Sequence, residues 1–334
     1  MEQRKQKGSQ RMFFLCLLLV LGLVSTFYTT PIQAQDVKFP SKAVEVIVPY
    51  SSGGFMDVGT RIFAESISHE LKVPVVVKNQ PGGGGLIGVT AFLNTKPDGY
   101  TLLSCSAGGT ITTVQLAKTP PFDPRKDLLP IGYVVDVPIA MAVPKASPFN
   151  SFQDFLQFAK SNPGKLRGGF SAPGGETHIM FMAILKDSKI ESKVVPYVGI
   201  PELVTALLGG HLDWASLSFP AIKPYVRSGD ARALLLTRTT QEIPGVPAGS
   251  DIGLNSFLFN MWTGFFTHPQ TPKAAYDTLV PAVKEASKDP ELIKKLTNAG
   301  FNVSYKDPHQ FSNLINQQWE ILSQIIKETG MKVN

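Results

Sequence analysis

Cysteine is nearly missing from this chain of 334 residues, which has only Cys16 and Cys105. Cys16 lies in an apolar run near the N-terminus and follows Leu15 rather than a small residue, which argues against a lipid-anchored cysteine. Cys105 is then left without a partner for an internal disulfide. No His or Lys adjoins it in sequence, so it reads as a small buried hydrophobe rather than a nucleophile. Histidine is also sparse: His69, His178, His211, His268 and His309 are scattered, and neither a His-Glu-x-x-His zinc motif nor a Gly-x-Ser-x-Gly elbow occurs. No metal or cofactor is expected on these grounds. The longest apolar run, residues 12–24, is shorter than the roughly 20 residues a membrane span needs.

That run is preceded by Arg4, Lys5, Lys7 and Arg11 and followed by Ile32-Gln33-Ala34, the layout of a secretory signal peptide cleaved near Gln35. An uncleaved anchor is the alternative. The leader carries those four basic residues and one acidic residue, Glu2, so the formal charge of +6 falls to +3 on processing. What remains is spread along the chain, which gives nucleic-acid binding no support and does not oppose the capture of anions.

The chain is organised around residues 44–57. Val44, Val46, Ile47 and Val48 read as a buried strand that stops at Pro49, because β-branched residues suit a sheet covered on both faces. Ser51-Ser52-Gly53-Gly54 then allows a sharp turn, and Val58, Ile62, Phe63, Ile67 and Leu71 have the spacing of a helix facing a core. Strand, small-residue turn and helix N-terminus together offer unpaired N–H groups and the positive end of a helix dipole, which suits an anion. The same device recurs at residues 171–178, Ser-Ala-Pro-Gly-Gly-Glu-Thr-His, before an apolar helix. A further run of small and hydroxyl residues, 106–110, follows the strand at 100–104 and reads as a loop.

Strands and helices alternate from residue 44 to residue 104 in a βαβαβ rhythm, so an α/β fold with a parallel sheet flanked by helices is expected. Residues 131–143 look like one long extended run leaving one domain for another, and the aromatic run 257–266 looks like the return. Ser151 and Asp154 stand at capping-box spacing before a helix. The tail is helical, and its last helix carries Phe311, Leu314, Ile315, Trp319, Leu322, Ile325 and Ile326 along one side. That helix is expected to pack on the first domain.

Seven collinear segments resemble the periplasmic solute receptors of tripartite tricarboxylate transporters, also called Bug receptors. They are Tyr50-Ser51-Ser52-Gly53-Gly54-Phe55-Met56-Asp57, the stretch 79–88 (Asn-Gln-Pro-Gly-Gly-Gly-Gly-Leu-Ile-Gly), the stretch 97–103 (Pro-Asp-Gly-Tyr-Thr-Leu-Leu), Pro196-Tyr197, Leu207-Leu208-Gly209-Gly210, Trp262-Thr263-Gly264-Phe265-Phe266 and Thr271-Pro272-Lys273. The resemblance implies a type II periplasmic-binding-protein-like fold of two α/β lobes joined by crossing strands. Its expected parts are residues 35–138, 139–254 and 255–334, the last returning to the first lobe. It also implies capture of a small organic acid, whether a di- or tricarboxylate, an aromatic acid or an acidic amino acid, for a membrane permease or for sensing. Nothing in the sequence demands more than a monomer. Two departures stand out. Ser51-Ser52 replaces a Pro-containing pair, and residues 214–218 lack the Asp often found there.

Carried onto this sequence, the ligand loops are Tyr50, Ser51, Ser52, Gly53, Gly54, Phe55 and Asp57 on one lobe, and Ser171, Gly174, Gly175, Thr177 and His178 on the other. Ser106, Thr110, Tyr197 and Gly199 would lie at the rim or floor. Asp57 has a structural reading, as a helix-start group that caps N–H donors or holds water, beside a ligand reading in which it pairs with an ammonium. Glu176 and His178 either face the cleft or simply face solvent, or in the case of His178 cap the helix. Tyr197 either lines the cleft or sits in the core. Gly83-x-Gly85-x-x-Gly88 matches a dinucleotide fingerprint, but no acidic residue lies about twenty positions on, and close helix packing explains these glycines. The remaining alternative is an exported hydrolase built on Ser171, His178 and Asp213.

Overall fold

The computed structural model describes residues 38–171, 173–256 and 260–330. The leader, Ala172 and the first part of the 257–266 run lie outside the described residues. Two mixed sheets, both within a unit that begins at Phe39, carry the fold. The first holds β1 (Val44–Val48), β2 (Val75–Asn79), β3 (Thr101–Cys105), β4 (Leu129–Val137), β10 (Met261–Thr267) and β11 (Asn302–Lys306), in the order β11-β4-β10-β3-β1-β2. The second holds β5 (Ile139–Pro144), β6 (Arg167–Ser171), β7 (Lys193–Tyr197), β8 (Trp214–Ser218) and β9 (Ala231–Leu236), in the order β7-β6-β8-β5-β9.

β1 lies between β2 and β3 and runs parallel to both, with Val46 opposite Val77 and Leu102. Its burial follows from having a strand on each side: Val44, Val46 and Val48 are fully covered, while β2 at the edge alternates between half-buried and exposed. Helix α1 (Phe55–Leu71) covers one face through Phe63, Ile67 and Leu71, and α2 (Leu86–Leu93) covers the other through Val89 and Phe92. In the second sheet β6 is the central parallel strand, beside β7 and β8. Its helices are α3 (Phe152–Ser161), α4 (Glu176–Ser188), α5 (Ile200–Leu208) and α6 (Phe219–Ser228). The expected capping box is present, with Ser151 and Asp154 each bonding the other's backbone N–H.

The chain crosses between sheets twice. The first crossing is not one strand, as the 131–143 run suggested, but two strands parted at Pro138, which cannot donate to a ladder. The crossings are tied together. Ile139 N–H donates to Thr237 Oγ1 at 3.0 Å, Thr237 donates to Asn260 Oδ1 at 2.6 Å, and Asn260 donates to Asp136 Oδ1 at 3.3 Å. Asp136 also meets Arg238 at 3.1 Å and accepts from the Tyr133 hydroxyl at 2.9 Å. Burial raises the Asp136 pKa, with Arg238 acting against it.

Three local expectations need correction. Residues 108–112 are a π-helical turn leading into a short helix, Thr113–Leu116, not a loop, because the Thr110 and Thr113 hydroxyls bond back to carbonyls of the preceding turn. After α7 (Lys273–Ala286) and α8 (Pro290–Asn298) comes the edge strand β11, which carried no strand signal in the sequence reading. The last helix, α9 (Pro308–Thr329), packs on the first sheet as expected but also reaches a helix of the second. Its Gln318 accepts from Trp262 Nε1 at 2.8 Å, and its Glu328 pairs with Lys186 of α4 at 2.7 Å.

Candidate functional site

The middle strands of the two parallel trios, β1 and β6, end in the same kind of turn. In the first, Gly53 takes φ +80° and Gly54 then takes φ −78°, ψ 172° as the N-cap of α1. In the second, Gly174 takes φ +84° and Gly175 takes φ −83°, ψ 176° as the N-cap of α4. The positive φ explains the first glycine of each pair, since a Cβ there would be strained. Neither N-cap supplies a side-chain hydrogen bond to its helix. The first-turn N–H groups of both helices, which have no intrahelical acceptor, are therefore left for something else.

Each turn is braced from inside by the residue four positions on. Gly53 N–H donates to Asp57 Oδ2 at 2.8 Å, and Gly174 N–H donates to His178 Nδ1 at 3.1 Å. Asp57 is 2% exposed and also accepts from Asn79 at 2.9 Å, Ser52 at 3.2 Å and Arg61 Nε at 2.9 Å. Burial acts to raise its pKa, yet Arg61, the Gly53 N–H and Asn79 together hold it at about 2. His178 lies flat on Phe170, with ring centroids 4.0 Å apart, and burial pushes its pKa down to about 4. A neutral ring with Nδ1 as acceptor is what the Gly174 bond requires.

The two turns meet at one cavity of about 290 Å³. From the first junction Tyr50, Ser51, Gly54 and Phe55 reach its wall, and from the second Ser171, Gly174, Gly175 and Thr177 do so. Ser106 and Gly199 join them. Six other candidates are not among the residues that line the cavity. Ser52, Gly53, Asp57 and His178 shape the turns, Thr110 bonds to the Ser106 carbonyl at 2.7 Å, and Tyr197 packs half-buried on the second sheet's core. The Tyr50 hydroxyl shares a hydrogen bond with Ser106 Oγ at 3.0 Å, and its pKa is raised first by burial.

Sequence reasoning did not select Gly108, Val198, Ile200 or Met261 for the wall, and it left Glu176 between the cleft and solvent. Glu176 follows Gly175 directly, so its place as the first residue of α4 was the available signal. Its Oε1 accepts from the Gly108 N–H at 2.9 Å, a bond from the second sheet's helix to the segment after β3. A larger hollow of about 520 Å³ lies between α3, the end of α4 and the 245–254 segment. The residues of both glycine turns line the smaller cavity and not this one.

The serine, histidine and acid of the hydrolase alternative are engaged separately. Ser171 Oγ lies 3.3 Å from Thr177 Oγ1, His178 Nδ1 is used by Gly174, and Asp213 pairs with Arg167 at 3.0 Å. Burial raises and Arg167 lowers the Asp213 pKa, with the net shift downward. Cys105 is fully buried, and burial pushes its thiol up to about 12. Among the described residues no group of three or more His, Cys, Asp or Glu is placed to hold a metal ion, and no helix is long and apolar enough to cross a membrane.

Two α/β sheets joined by crossing strands, with a ligand-sized cavity between matched helix N-termini, define a two-lobed solute-binding protein. The chain belongs to the tripartite tricarboxylate transporter family of receptors, whose family model matches residues 60–331. It is 26% identical to protein BugT of Bordetella pertussis over 322 residues, 95% of this chain and 98% of that protein. The solved structure of a periplasmic transporter is 31% identical, with a TM-score of 0.77 over 89% of this chain and 100% of that one. A Rhodopseudomonas palustris protein solved with adipate has the same fold, with a TM-score of 0.77 at 24% identity over 88% of this chain and 99% of that one.

Proposed function

We propose that this chain is an exported receptor that holds a small organic acid by its carboxylate between the two glycine turns. One observation carries the reading: two helices from different sheets begin with the same glycine-pair geometry, carry no side-chain cap, and open on one cavity. Oriented N–H groups at such ends replace the hydration of a carboxylate, and each charge-assisted bond contributes roughly 1.5–3 kcal/mol net. The adipate bound by the structural neighbour agrees with an acid as ligand.

The lobes divide near residues 138 and 254, so the tied crossings form the hinge. An acid touching both turns favours the closed form by as much as it binds that form better. The closed form is then read by a tripartite tricarboxylate-type permease. Thermal unfolding of the purified protein with di- and tricarboxylates, aromatic acids and acidic amino acids tests this directly. One class should raise Tm, because a ligand that binds only the folded state stabilises it. No rise with any acid would count against the receptor, and turnover of the acid to product would favour the hydrolase.

A further inference from the structure

The rest of the cavity wall has a different character. The side chains of Phe55 and Met56 beside the first turn, with Val198, Ile200 and Met261, give it an apolar part, and Val198 is 94% exposed, so an apolar tail laid across it would cover it. None of the described lining residues is Lys, Arg or His, and the one acidic side chain among them is Glu176. Glu176 is only 8% exposed, and the Gly108 N–H fixes its carboxylate in place.

We propose, building on the carboxylate reading above, that this site selects acids with one carboxylate and an uncharged, apolar remainder, and that Glu176 is the residue that turns away a second negative charge. A ligand's first carboxylate has two helix N-termini to replace its water. A second one would lose its hydration against apolar side chains without a cation in reach, which is strongly unfavourable. It would also lie in the same small cavity as the Glu176 carboxylate, where poor screening strengthens repulsion between like charges. Apolar walls reward a hydrocarbon tail instead.

Calorimetric titration of the wild-type protein with hexanoate, adipate and monomethyl adipate tests this. The last two differ in one charge at nearly the same length. Monomethyl adipate and hexanoate should each bind at least tenfold tighter than adipate. Glu176→Gln keeps an acceptor for Gly108 N–H and should raise adipate affinity relative to hexanoate at least fivefold, with circular dichroism confirming the fold. Adipate binding as tightly as its monoester in the wild type would overturn the selectivity and leave the receptor reading standing. An unchanged ratio in Glu176→Gln would remove Glu176 from the role. Failure of all three acids, together with a flat thermal panel, would remove both readings.

Discussion

The Gly174 N–H donates to Nδ1 of His178, 3.1 Å away, and the same bond in the first turn runs from Gly53 to the Asp57 carboxylate. Two chemically different acceptors thus hold one backbone shape, and they respond differently to acid. The His178 pKa falls from 6.5 to about 4 in the fold. A depressed pKa means the unfolded chain takes up the proton first, so this contribution is complete above about 6.5 and is lost as pH falls toward 4. Its full size is roughly 3 kcal/mol. Urea unfolding between pH 7 and pH 4 should show this loss, and His178→Phe should flatten it. At neutral pH the same variant should be less stable by about 1–3 kcal/mol, because Gly174 N–H loses its acceptor. Asp57 titrates lower: its contribution is present above 3.8 and is lost as pH falls through about 2.

The two glycines of the first turn should fail in different ways. Gly53 has φ +80° and open space around it, so Gly53→Val strains the backbone by about 1–2 kcal/mol and lowers Tm. Gly54 has an ordinary φ, and a Cβ there would meet only the Ser51 carbonyl oxygen at 3.5 Å. Gly54→Val should therefore fold normally and lose ligand, since its side chain enters the cavity. Tm without ligand, measured beside affinity, separates the two.

At the crossings, Thr237→Val removes the acceptor of the buried Ile139 N–H and the donor to Asn260 without changing side-chain volume. A stability loss of about 1–3 kcal/mol in urea is expected. A change within 0.5 kcal/mol, taken as about the size of an ordinary surface substitution, would show that the tie is not a structural one.

Phe311 anchors the last helix. It is fully buried against Trp262, Phe266 and Tyr133, and its ring rests on Gly264, where a Cβ would collide with it. Phe311→Ala should cost about 3–5 kcal/mol, and Gly264→Ala should also destabilise, through overpacking. Denaturant midpoints report both.

The central strand β1 was legible because its apolar run is continuous, and α1 because its spacing is helical. The glycine turns were legible as a repeated pair before a helix. β11 was not, since Asn302, Ser304 and Lys306 dilute any apolar pattern and all its residues are half-buried at a sheet edge. The helical turn at 108–112 was missed because small hydroxyl residues suit loops as readily as a helix that bonds their side chains back. The bracing roles of Asp57 and His178 depend on i, i+4 contacts to backbone N–H groups, which sequence alone leaves beside a ligand role. The choice between cleft and solvent for Glu176 needed three-dimensional information, because its partner Gly108 lies 68 positions away.

Backbone amide shifts followed by NMR during titration, with whichever acid of the thermal panel raises Tm most, test the paired-turn grip most directly. The amides of Phe55 and Met56 and those of Glu176 and Thr177 should move together and saturate at one ligand concentration. Movement confined to one helix start, or to neither, would contradict it.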